Sequence, residues 1–279
     1  LSMNMSESRK LWIGVFKTLA ICLVVIGHAT GYFNQYIYQF HMAAFFFIAG
    51  YCTNWFKKGK IELIWNRFFS LIIPYWSIFL VGTLIIYFMN ATNIYNILFS
   101  DEMVYIGVYR TIMEFFIHGN QYVWWLGAAW FIWILFLIIV YHSILSNVMK
   151  PQGRYGHYVY LLLVVVTYFV GYTVLQDGAR SNLVRVAIGQ LYFGIGNFCR
   201  NYGESRVVDR DKKWYGELGI LVLSIFFMWK LSKVPGITVD YPDLRFQHII
   251  MNVIAAINGI VLLYCISKLI ERIINYLNK

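Results

Sequence analysis

Charge is what this sequence has least of. Only 13% of its 279 residues are charged, and just 13 are acidic. Soluble domains carry about 25% charged residues, so a water-facing globular surface is excluded. The 23 basic residues leave a net charge of +10, but they fall in loops between apolar runs and form no nucleic-acid-binding motif. Topology accounts for them better than a nucleic acid partner does. Cysteine is also scarce. Cys22, Cys52, Cys199 and Cys265 all lie in apolar stretches and none forms a CxxC pair, so each is expected as a buried, reduced thiol and no metal is expected. Low-complexity tracts and internal repeats are missing too, and the lack of an inverted repeat counts against a transporter.

Apolar residues are abundant instead, at 60%, with 19% aromatic residues gathered at segment ends as in interfacial belts. A spanning helix needs about 20 mostly apolar residues. Eight candidate spans lie at 11–31, 37–56, 64–89, 122–146, 157–175, 183–200, 215–231 and 248–270. The fold expected is an all-α integral membrane protein, with about eight transmembrane helices in one bundle formed by a single domain over 1–279. The first run is too long for a signal peptide and has no A-x-A-like cleavage site. The sixth span holds Arg185, Gln190 and several glycines, so its neighbours should wrap it. Pro74 should kink the third.

With the N-terminus inside, fifteen basic residues fall in inner segments and five in outer ones, namely Arg110, Arg180, Lys230, Lys233 and Arg245. The asymmetry places both termini in the cytoplasm. In the long outer segment after span three, Ser100, Asp101 and Glu102 precede an amphipathic pattern through Phe116. That pattern reads as an interfacial helix, either a surface cover or a roof over an outward-facing site.

The candidate chemistry lies in the first three spans. Lys17 and His28 are 11 residues apart, about three helical turns, so they share a face roughly 16 Å apart along the axis. His41 begins the returning span at the depth of His28. Arg67 begins the third span near the level of Lys17. Ionisable groups inside a membrane mark functional sites. Imidazole can take a proton from a hydroxyl and return it, while Lys and Arg can hold the phosphates of a carrier. Each residue also has a plainer reading. A membrane His can simply bond a backbone carbonyl, Lys17 can snorkel, and Arg67 can anchor the inner face.

Two stretches carry a resemblance. Phe16-Lys17-Thr18-Leu19-Ala20-Ile21-Cys22-Leu23-Val24-Val25-Ile26-Gly27-His28 resembles the opening of the acyltransferase 3 family, bacterial membrane O-acyltransferases of surface glycans. Phe40-His41-Met42-Ala43-Ala44-Phe45-Phe46-Phe47-Ile48-Ala49-Gly50-Tyr51 resembles that family's next block. Ile73-Pro74-Tyr75 and Ala129-Trp130-Phe131-Ile132 are weaker echoes. The resemblance implies an O-acetyltransferase of the bacterial cytoplasmic membrane. Its donor would be acetyl-coenzyme A and its acceptor a surface glycan or lipid-linked sugar. His28 and His41 would be catalytic, with His28 as general base or transient acyl acceptor, and Lys17 and Arg67 would bind the donor. Three departures stand out. Ser70 replaces the second arginine of an Arg-x-x-Arg motif, Gly14 replaces an acidic residue, and the family usually has about ten spans. The rival expectations are a proton-coupled transporter, in which the histidines relay protons, and a non-catalytic, truncated remnant of the family.

Overall fold

A computed structural model describes residues 5–53, 60–92, 112, 130–149, 153–176, 182–203, 214–239, 244 and 246–278. Among these, every regular element is helical. The main helices are α1 (Met5–Thr30), a one-turn α2 (Asn34–Ile37), α3 (His41–Cys52), α4 (Lys60–Arg67), α5 (Ile73–Ala91), α6 (Trp130–Met149), α7 (Gly153–Gln176), α8 (Asn182–Phe198), α9 (Trp214–Leu231) and α10 (Ile249–Leu277). Apart from Ile112, the outer segment read as an amphipathic helix lies outside the described residues.

Side-chain contacts fix the helix directions. Trp12, early in α1, meets Tyr51 at the end of α3 and Tyr264 late in α10, with ring centroids 5.1 and 5.3 Å apart. α1 is therefore antiparallel to both. Lys60 bonds Asn147, and the Phe68 ring lies 5.9 Å from that of Phe136, so α4 and α5 run against α6. Gln190 reaches back to Val164 on α7, and Glu217 of α9 meets Arg272 of α10. α3, α6 and α8 run together: Phe46 and Ile138 both face Gly189, while His142 stacks on Phe193. The result is that the described helices alternate in direction along the chain. We call the end holding the start of α1 the lower end.

Five stretches among the described residues are long and apolar enough to cross a membrane. They are Leu11–Thr30, Lys60–Ala91, Trp130–Asn147, Tyr155–Leu175 and Ile249–Leu277. Much of the bundle's outside is apolar, as at Ile78, Leu80, Val81, Leu84 and Ile85 of α5. Lipid solvates such a face without penalty. This also explains the cysteines. All four are free, but only Cys265 is buried, while Cys22 and Cys199 are exposed. A small apolar thiol can face lipid as readily as a protein core.

The second span differs most from its sequence reading. The apolar run covers 37–56, yet α3 is only 12 residues long, about 18 Å at 1.5 Å per residue. That is well short of a bilayer core of about 30 Å. α3 is instead an inner pillar whose residues His41–Ala44, Phe46–Ile48 and Gly50 are buried. Its partner is α8, itself buried on nearly every side, as expected for the sixth span.

The two pillars touch backbone to backbone. A Cβ built on Gly50 would sit 2.0 Å from the carbonyl oxygen of Phe193, and one on Gly196 would sit 2.1 Å from that of Phe47. Small residues allow this approach, and dispersion between close-packed helices holds it. The lower end of α3 is closed by α8. Asn197 Nδ2 donates to the carbonyls of Gly50 (3.2 Å) and Thr53 (2.9 Å), and Arg200 donates to that of Tyr51 (3.0 Å). A helix that stops among apolar neighbours needs such donors, because its last carbonyls have no partners of their own.

Pro74 acts as expected, by a definite route. It has no N–H to offer the carbonyl four residues back. The chain answers with a π-helical turn, Phe68–Ile72, in which the N–H of Ile73 bonds the carbonyl of Phe68. The ladder shifts by one residue and α5 then continues. α10 runs seven residues beyond its apolar pattern. Lys268 pairs with buried Glu271 at 2.6 Å, and Arg272 pairs with Glu217 at 2.8 Å, so charges that would end a span are neutralised within the bundle.

Replacing Gly196 with valine forces the Phe47 carbonyl away. The expected cost is about 1–3 kcal/mol, typical of overpacking, seen as a lower unfolding midpoint in detergent. Gly219→Ala, where a Cβ meets nothing within 4 Å, should leave the midpoint unchanged. Equal midpoints for both variants would refute the close contact of α3 and α8.

Candidate functional site

α1 ends at Thr30, and Gly31 turns the chain in the left-handed region (φ 66°), which glycine tolerates. The one-turn α2 follows, and the chain enters α3 at His41. This tight return brings the top of α1 beside the top of α3, and with them His28 and His41.

His41 is buried, and its Nδ1 lies 3.1 Å from the carbonyl of Ile37. A carbonyl can only accept, so Nδ1 donates. In the neutral ring Nε2 then keeps its lone pair and can receive a proton. His28 is exposed on the bundle surface. Among the described residues its only ring contact is with Tyr38, at 6.1 Å between centroids, and Tyr38 also lies 5.0 Å from the His41 ring. The two imidazoles are thus neighbours through one phenol ring.

Lys17 is exposed on the same continuous helix as His28, about three turns below it and on the same face. Arg67 is half-buried and is the last residue of α4, directly before the π-helical turn. A chain of packing contacts across the bundle links the helices that carry the two cations. Phe16 packs on Phe47, Phe46 and Ile138 meet at Gly189, and Phe68 packs on Phe136. Among the described residues the side chains of Lys17 and Arg67 have neither a hydrogen bond nor an ion pair, and no contact joins them. Among the described residues the structure gathers the histidines and leaves both cations unpaired.

One groove, of about 380 Å³, lies between α1 and α10. Leu11, Gly14, Val15, Thr18, Leu19 and Ile270 line it. Its lining is almost wholly apolar, and Lys17 points about 100° round the helix from Thr18. It offers a phosphate no partner. Ser70, at the position of the missing arginine, is exposed within the π-helical turn, and its hydroxyl donates to the Arg67 carbonyl at 3.4 Å.

Two groups were not singled out from the sequence. Tyr38 lies three residues before His41, in the turn between α2 and α3, and that closeness in sequence was the available signal. The other group is His142. It is fully buried between α6, α7 and α8, its Nε2 donating to the Gln190 carbonyl (3.2 Å) and its Nδ1 accepting from the Tyr160 hydroxyl (2.8 Å). A histidine in the middle of a span was its signal. Both ring nitrogens are occupied, so this imidazole locks three helices together and has no atom free for a substrate.

A family model described as an acyltransferase domain matches residues 10–279, nearly the whole chain. No curated protein and no solved structure matches it. The match covers the blocks around Lys17, His28, His41 and Pro74 together with the later helices. The chain belongs to the acyltransferase 3 family, and is a multi-pass membrane acyltransferase.

Proposed function

We propose that this protein moves an acetyl group from acetyl-coenzyme A to a hydroxyl of a cell-surface carbohydrate, working in the bacterial cytoplasmic membrane with both termini in the cytoplasm. The observation that carries this reading is the exposed imidazole of His28. It stands beside a second imidazole and three turns above a lysine on the same helix face, and among the described residues that imidazole's Nε2 and that lysine have no partner.

Lys17 and Arg67 hold the donor's phosphates from the lower side, as charge-assisted partners. The neutral pantetheine arm bridges the rise to His28. His28 takes the proton from the sugar hydroxyl as its oxygen bonds the thioester carbon. The C–S bond then breaks, and the imidazolium returns the proton to the departing thiolate. His41 shares the proton or orients the acceptor through Nε2. The residues needed are an imidazole base and two cations, and the family match supports acyl transfer as the reaction class.

His28→Ala should lower acetyl transfer by about 10²–10⁴-fold, the usual contribution of a positioned acid–base group. The protein should remain folded in the membrane, since His28 is exposed and makes no hydrogen bond among the described residues. Labelled acetyl reaching envelope glycans at the unmutated rate would refute the assignment. Ser70→Arg adds a cation one turn beyond Arg67. It should tighten acetyl-coenzyme A binding in detergent by about tenfold, one added charge-assisted contact. Unchanged or weaker affinity would remove Arg67 from the donor site.

A further inference from the structure

We infer that Tyr38 is a positioning residue for the histidine pair: its ring holds the His28 imidazole in register with His41, so that it governs turnover rather than donor binding. This deepens the proposed acyl transfer and rests on it.

The geometry around Tyr38 has three parts. First, among the described residues its ring is the only one in contact with His28, and it also contacts His41, while no direct ring contact links the two histidines. An exposed imidazole on a helix surface is otherwise free to change rotamer, and a catalytic base must stay within a narrow range of its target. Second, the ring is itself held. It fits a notch made by Gly27, the residue before His28. A Cβ at Gly27 would lie 3.1 Å from Tyr38 Cε1, and the Tyr38 hydroxyl lies 3.4 Å from the Gly27 carbonyl. Third, the Tyr38 backbone is pinned from two sides. Its N–H donates to the Asn34 carbonyl (2.9 Å), and its carbonyl accepts from Val239 N–H (3.0 Å) in the loop before α10. The phenol therefore sits on a fixed frame beside a mobile base.

The contacts with both imidazoles are made by the Tyr38 ring, so the ring rather than the O–H should do the positioning. This separates the conservative variant from the truncating one. Tyr38→Phe should keep kcat within about threefold. Tyr38→Leu should lower kcat about tenfold to a hundredfold, the scale of a misplacement near 1 Å, with the KM for acetyl-coenzyme A nearly unchanged because Lys17 and Arg67 are untouched. Gly27→Ala leaves the ring in place but presses on it. It should lower kcat in the same way, and the double variant Gly27→Ala with Tyr38→Leu should be no slower than Tyr38→Leu alone, since the two changes act through one ring.

Three results overturn the inference: Tyr38→Leu turning over at the unmutated rate, Tyr38→Phe losing as much as Tyr38→Leu, or a loss that appears in KM instead of kcat. If Tyr38→Leu does not reach the membrane folded, Gly27→Ala and Tyr38→Phe decide the matter, with an unaltered kcat in Gly27→Ala refuting the role. Failure of the underlying reaction looks different. There the unmutated protein transfers no acetyl group, and both the reaction and the role of Tyr38 fall together.

Discussion

The contact between α3 and α8 is the constraint on which the rest of the structure depends. A helix of 12 residues cannot cross a bilayer, and its cut ends would leave polar backbone groups in an apolar medium. α8 removes that penalty. Gly50 and Gly196 let the backbones approach, and Asn197 and Arg200 take up the carbonyls at the lower end of α3. A short helix fixed in this way can hold His41 at a set depth inside the bundle. α1 and α10 then pack around it, with Phe40 seated against Gly259 and Trp12 between Tyr51 and Tyr264. The histidine near the top of α1 is brought beside that fixed point.

The polar groups divide into satisfied and open ones. His142, Tyr160 and Gln190 form a saturated polar lock among α6, α7 and α8. A buried imidazole with both nitrogens bonded rigidifies a bundle and offers no chemistry. His28, Lys17 and Arg67 are the reverse case. They lack hydrogen-bond partners among the described residues, which is what the proposed donor-binding and proton-transfer roles require. His41 lies between these cases, with one nitrogen committed to Ile37 and the other open. Polar side chains here sort by the number of their atoms already spoken for.

Much of this was legible in the sequence because hydropathy reports the solvent directly. Long apolar runs give the helices, and their succession gives the alternating directions that the contacts display. The depth argument placed His28 near His41, since a tight return between two antiparallel helices leaves little freedom. Pro74 announced a break in the ladder, although not that a π-helical turn would absorb it. Other features were hidden for physical reasons. An apolar run at 37–56 looks the same whether it faces lipid or is wrapped by protein, so the shortness of α3 depends on Asn197 and Arg200, almost 150 residues away. The extension of α10 depends on charges that pair only after folding. Cys22 and Cys199 read as buried because apolar character does not separate a protein core from lipid.

The central claim is that a phosphate-bearing donor lies along the face of α1 with its thioester beneath the histidine pair. A structure of the protein in nanodiscs with bound acetyl-coenzyme A tests this most directly. The account predicts phosphate density beside Lys17 and Arg67, with the acyl carbon within reach of the His28 imidazole. Donor density on α9 and α10, or an acyl group far from both His28 and His41, would contradict it.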